Sequence, residues 1–125
     1  MSTPFDGSVL DLLRDIEEVD IETRLAEDAP SHRIIIWVMV DDADRVFLRS
    51  FRGPTARWYR EAVANPDCVL HANGQVIPVR AVAATDDDQV EACSRALVSK
   101  YTGQPSLQAM LRPEILSTTM RLEPR

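Results

Sequence analysis

The chain has 125 residues, enough for one domain with its own core and too few for a second. Hydrophobic residues make up 45% and charged residues 27%, a globular balance that excludes wholesale disorder. A net charge of −6 argues against a general binder of nucleic acid or membrane surfaces, which needs a basic face. The longest apolar run, Ile34 to Val40, is too short to span a bilayer, and the first residues lack the basic and apolar regions of a signal peptide. The expectation is a cytoplasmic protein with no nucleic-acid or membrane partner.

In chain order, Ser8 with Asp11 resembles a capping box opening a helix whose apolar face is Val9, Leu12, Leu13, Ile16 and Val19. The period then changes: Val19, Ile21, Thr23 and Leu25 alternate with polar residues, as in a half-buried strand. Ile34 to Val40 is apolar throughout and predicts a strand covered on both faces. Asp41 to Asp44 is a turn, and Arg45 to Phe51 returns as the hairpin partner. Thr55 is placed to cap a helix that stops before Pro66. Cys68 to Ala72 and Gln75 to Ala84 flank Asn73-Gly74, a strong hairpin signal, with Pro78 suggesting an edge or a bulge. Asp86 and Gln89 open a helix with the stripe Val90, Cys93, Leu97 and Tyr101, ended by Gly103. Leu107 to Leu111 predicts one more helical turn, and Ser117 to Glu123 a last strand.

This order predicts a mainly β protein: about six antiparallel strands in a small barrel, packed against a partner subunit, with flanking helices. Residues 1–125 form a single domain, with 1–18 an N-terminal helix and 86–112 a helical insertion before the last strand.

Four arginines and no acid fall between Arg49 and Arg60, against the acidic trend of the chain. An apolar strand end, Val46-Phe47-Leu48, runs into Arg49-Ser50-Phe51-Arg52-Gly53-Pro54, and a helix-like segment follows. A strand that turns through glycine into a helix start presents free backbone N–H groups and a positive dipole end, and arginines there complete an anion cradle. Arg49, Arg52, Arg57 and Arg33 are candidate ligands of a phosphate or carboxylate, Ser50 and the Gly53 backbone further donors, and Trp58 and Tyr59 aromatic walls. The alternative is a solvated, charge-balanced face, or arginines bridging to a second subunit. Trp37 reads as core, and His71 as a satisfied strand histidine. His32 is a loop residue or a proton donor near a bound anion. Cys68 and Cys93 have no partners at zinc-ligand spacing and read as buried free thiols, with no metal site.

The stretches Ile36 to Val40, Val46 to Ser50, Gly53, Arg57 to Arg60, Ala64-Asn65-Pro66 and Val79-Arg80-Ala81 resemble the flavin-binding split barrels related to pyridoxamine phosphate oxidase. Within these the chain is similar to the deazaflavin-dependent nitroreductase branch and its small bacterial relatives. The resemblance implies a six-stranded split barrel, a homodimer, and a flavin mononucleotide (FMN) or deazaflavin cofactor between subunits, serving hydride transfer to a small molecule. It assigns the cofactor groove to Arg49, Ser50, Gly53, Arg57, Trp58 and Tyr59. The branch has a glycine- and arginine-rich loop between its first two strands, where this chain has Arg24-Leu25-Ala26-Glu27-Asp28-Ala29-Pro30. That departure leaves FMN, haem or another anion open, as well as a non-catalytic binding protein that has lost the cofactor.

Overall fold

A computed structural model describes residues 4–125; residues 1–3 of the predicted N-terminal helix lie outside them. The first helix, α1, is Gly7–Asp15, and its N-cap is Asp6 without a side-chain cap, so the expected Ser8–Asp11 box is not formed. Leu10 and Leu13 bury its apolar face. Strand β1 (Glu18–Arg24) follows the predicted alternation, with Val19, Ile21 and Thr23 inward. It pairs with β2 (Ser31–Trp37) across a full seven-residue register from Glu18↔Trp37 to Arg24↔Ser31.

The continuous apolar run divides at Val38. β2 ends at Trp37, and Met39–Val40 forms β3, which pairs instead with β4 (Val46–Leu48). The sheet order is β2-β1-β5-β6-β7-β4-β3. Its two edges are therefore consecutive pieces of one strand, and the sheet closes on itself as a barrel of six strands when β2 and β3 count as one. β5 is Asp67–Ala72, β6 Gln75–Ala83 and β7 Met120–Pro124. The β5–β6 hairpin turns through Asn73 and Gly74, both at positive φ, as its sequence signal requires. Pro78 lies in an interior strand, contrary to expectation. Its carbonyl faces the Arg125 N–H just past the end of β7, where no ladder donor is needed.

β1, β4, β5, β6 and β7 contribute buried residues to one cluster inside the barrel, joined by Val38 between β2 and β3, Leu10 and Leu13 of α1 and Trp58 and Ala62 of α2 (Arg57–Ala64). A second cluster lies between the outer face of β3–β4, through Met39 and Phe47, and the helices α3 (Asp87–Tyr101) and α4 (Leu107–Met110). Asp86 caps α3 through the Gln89 N–H at 3.2 Å, as predicted. Double coverage thus holds at Val38 and Met39. It fails at Ile34 and Ile35, which are 46% and 61% exposed: the two alternate across β2, Ile34 opposite Ile21 on the inward face and Ile35 opposite Asp20 on the outward face, and neither is covered at this edge of the sheet. Cys68 and Cys93 are buried free thiols, as expected.

The backbone at Val38 leaves both ladders, and α3 satisfies it. The Tyr101 hydroxyl accepts from the Val38 N–H at 3.3 Å and donates to the Glu17 carbonyl at 2.6 Å. The Lys100 ammonium donates to the Val38 carbonyl at 2.8 Å and the Leu13 carbonyl at 2.7 Å. Trp37 stacks on the Tyr101 ring at 3.9 Å. Burial pulls Lys100 down to about 8 from 10.5. The unfolded chain therefore binds more protons between these values, and this group's contribution to stability rises with pH across the window and is lost as pH falls towards 8. Cys68 and Cys93, pushed up by burial to about 11 and about 12, act in the opposite direction above pH 9. The Lys100 contribution is therefore read as the difference between the protein and Lys100→Met in denaturant titrations. That difference is expected to grow in favour of the native lysine from pH 8 to pH 10, and a flat difference would contradict the buried-ammonium arrangement.

Candidate functional site

β4 ends at Leu48, and the chain then turns through Arg49 to Arg52 into a short 3-10 turn, Gly53–Thr55, before α2 begins. The Ser50 N–H donates to Thr118 Oγ1 at 3.0 Å, and its hydroxyl donates to the Gly53 carbonyl at 2.8 Å. Gly53 is buried with φ +78°, a conformation that L side chains rarely adopt, while a Cβ would meet only Ile115 at an ordinary 3.5 Å. The glycine is required by the turn and not by a lack of space. α2 starts at Arg57 with Ala56 as its N-cap and no side-chain cap, so the expected Thr55 cap is absent. The first backbone N–H groups of α2 are left uncapped beside the turn.

Two adjoining hollows flank this turn. The first, about 290 Å³ and half-open, has apolar walls: Ile34, Ile36 and Trp37 of β2, Phe51, Trp58 and Met110. The second, about 360 Å³, is lined by His32, Arg33, Arg52, Thr55, Arg57 and Thr23. Ile34, Arg52, Ala56 and Trp58 belong to both, so an apolar groove continues into an arginine-lined one. Each sits near the lower end of the ~300–1,000 Å³ typical of small-molecule sites, and together they fall well within it.

The predicted residues divide between these walls and their support. Arg52 and Arg57 are exposed on the basic hollow, and no carboxylate forms an ion pair with either among the described residues. Arg33 lines the same hollow while paired with Asp20 at 3.0 Å. Trp58 is buried and walls both hollows, with Tyr59 edge-on to it at 6.1 Å. Tyr59 itself lies outside the lining and reaches the Ser117 carbonyl at 3.4 Å. Ser50 borders the apolar hollow with its hydroxyl already held inside the turn.

Arg49 differs most from the expectation of a phosphate ligand. It is 2% exposed. Its Nε donates to Thr119 Oγ1 at 3.0 Å, Nη1 to Ser94 Oγ at 3.0 Å and to the Met110 carbonyl at 3.1 Å, and Nη2 to the Val90 carbonyl at 3.1 Å. Four of the five N–H groups of the guanidinium are thereby committed to protein acceptors. None of these acceptors is a carboxylate, and burial pulls the group below its ordinary value. Its geometry supports the groove by tying the end of β4 to α3, α4 and the start of β7.

Sequence reasoning missed two contributors. Phe51 is braced by Arg112, whose guanidinium lies 5.4 Å over its ring. Glu61 is buried and accepts from Thr23 Oγ1 at 2.9 Å and from His32 Nδ1 at 3.1 Å. Its helical position, four residues after Arg57, was the available signal. His32 proves to be a β2 residue opposite Thr23, not a loop residue. His71 is satisfied, as expected, by Glu22 at 2.7 Å, and no metal-binding cluster is found among the described residues.

Arg49→Met is expected to lower unfolding stability by about 3 kcal/mol or more, since it strands buried acceptors that were bonded to a charge. Arg52→Ala should stay within about 0.5 kcal/mol of the native protein. Urea denaturation of the pair checks this, and equal effects would contradict the division of roles.

Solved structures with the same fold span most of the chain. The haem storage protein HutZ from Vibrio cholerae matches with TM-score 0.65 and 10% identity, over 98% of this chain and 92% of that one. An F420-H2 dependent reductase, FDR-A, matches with TM-score 0.62 and 16% identity, over 86% of this chain and 93% of that one. A protein described as a domain-swapped dimer matches with TM-score 0.62 and 17% identity, over 87% and 81%. These likenesses show the split β-barrel fold that the sequence resemblance implied. No protein of curated function matches the chain in sequence. Residues 9–122 match the family described as "Uncharacterized protein conserved in bacteria (DUF2255)", and the chain belongs to that family.

Proposed function

We propose that this protein binds a flavin-type cofactor, FMN or the deazaflavin coenzyme, and uses it for hydride transfer to a small molecule. One observation carries the reading: an apolar, tryptophan-walled groove runs into a hollow where, among the described residues, no acid pairs with Arg52 or Arg57. The donor set fits such a group. Arg52, Arg57 and the uncapped start of α2 suit a phosphate, and Ile36, Trp37 and Trp58 suit a planar ring. When bound, the cofactor would supply the hydride chemistry, while the chain binds, orients and shields it. Arg33 adds positive charge at the rim. Arg49, Ser50 and Gly53 hold the turn that places Arg52 and Trp58.

The groove's open side runs along β2, where Ile34 and Ile35 are exposed. We propose that a second copy covers it, forming a homodimer with the cofactor between subunits. Support comes from the relative described as a domain-swapped dimer. A cytoplasmic location goes with this reading; no helix of the described residues is long and apolar enough to cross a membrane.

A second reading is a non-catalytic carrier of an anionic planar ligand such as haem. It is favoured by the acidic β1–β2 connection, which contains Glu27 and Asp28 and no glycine, and by the similarity to a haem storage protein. Titration with FMN, the deazaflavin coenzyme and haemin, following fluorescence, absorbance and melting temperature, separates the two. Saturable binding of one flavin with a rise in melting temperature is expected. The Arg52→Ala/Arg57→Ala variant should bind it about 10- to 1,000-fold more weakly, the range set by losing one or two charge-assisted hydrogen bonds. Haemin binding without flavin binding would move the assignment to the carrier, and unchanged flavin affinity in the variant would refute the phosphate site.

A further inference from the structure

Glu61 is the one buried carboxylate among the described residues, 7% exposed, and it sits beneath the basic hollow. An ionised carboxylate only accepts hydrogen bonds. Its contact with His32 therefore places a proton on Nδ1, while Thr23 Oγ1, donating at 2.9 Å, holds the carboxylate from the neighbouring strand. This chain fixes the orientation of the imidazole and leaves Nε2 as the nitrogen without a protein partner among the described residues, on a side chain that lines the hollow. A carboxylate behind a histidine is the arrangement that orients the ring.

We propose that His32 is a proton-coupled ligand of the anionic group bound in this hollow, its Nε2–H donating to a phosphoryl or carboxylate oxygen. The inference deepens the anion subsite of the function proposed above and rests on that reading for the ligand's class. The charged groups around His32 are Glu61 and Arg57 of α2, Arg33 on its own strand, and Arg52 of the turn. The three arginines oppose an imidazolium, and Glu61 favours it. A bound anion offsets the arginines, so binding draws a proton onto His32 from solvent wherever the ring is otherwise neutral. By reciprocity, affinity rises as pH falls through the range in which histidine changes charge, about pH 5 to 8. An anionic cofactor or substrate would accordingly be held more tightly in acid, with Arg52 and Arg57 supplying the pH-independent part.

The probe is inorganic sulfate, whose charge is constant over this range, added to the whole protein and followed by NMR of the His32 ring. Sulfate is expected to bind about tenfold more tightly at pH 5.5 than at pH 8, and to raise the midpoint of His32 titration. In His32→Gln the pH dependence should shrink to less than about twofold, with the variant's melting curve confirming that it is folded. In Glu61→Gln, which keeps the shape and removes the charge, the affinity transition should move to lower pH. A purely structural Glu61 would change melting temperature without moving that transition. A pH dependence that survives in His32→Gln, or a His32 midpoint that ignores sulfate, would overturn the proposal. FMN compared with riboflavin, which lacks the phosphate, separates this result from the cofactor assignment. If the two bind equally and sulfate displaces neither, the ring groove stands and the anion ligand falls. If neither flavin binds but sulfate behaves as described, the His32 subsite stands without the flavin.

Discussion

One buried guanidinium holds together the parts from which the groove is made. Arg49 leaves the end of β4 and bonds Thr119, Ser94, Met110 and Val90, reaching residues 41 to 70 positions away. Burying a charge without a counter-charge is costly unless its hydrogen bonds are filled, and here hydroxyls and carbonyls fill them. The partners belong to α3, α4 and the approach to β7, so the helical layer is fixed to the barrel at the point where the Ser50–Gly53 turn emerges. Met110, which walls the apolar hollow, is held by its carbonyl in the same set.

A second junction sets the shape of the other wall. At Val38 one strand exchanges one neighbour for another, which closes the barrel and swings β2 outward. Tyr101 and Lys100 satisfy the backbone groups this exchange exposes. The consequence is an edge strand paired on one side only, with Ile34 lining the groove beside Trp58 and Ile35 bare on the opposite face. Most of the chain's arginines are balanced by acids; Arg52 and Arg57 are not among those pairs. In a chain of net charge −6, unpaired cations beside an apolar slot are an arrangement suited to an anion with a flat body.

What was legible in the sequence was what local chemistry decides. Asn73-Gly74 specifies a hairpin through positive φ, Asp86 caps α3 through a contact three residues away, and the alternation of Val19, Ile21 and Thr23 reports one buried face. The resemblance carried by Val46 to Arg60 pointed to the turn and to Trp58, which lines both hollows. Errors came where distant partners decide. The run Ile34 to Val40 looks uniform, yet its two halves meet different neighbours, and α3 covers the second half and only Trp37 at the end of the first. Arg49 and Arg52 are indistinguishable by spacing, while one is enclosed by residues far along the chain and the other faces solvent. The link between His32 and Glu61 joins residues 29 apart on a strand and a helix, with no periodicity to announce it.

The central claim is that the apolar and basic hollows are two ends of one cofactor site. A crystal structure of the protein grown with FMN or the deazaflavin coenzyme tests it most directly. The expected result is a ring lying against Trp58 and Ile36, its phosphate at Arg52 and Arg57, Arg49 still bonded to Val90 and Met110, and a second copy over Ile34 and Ile35. A ring bound elsewhere, or a phosphate held by Arg49 in place of those carbonyls, would contradict the account.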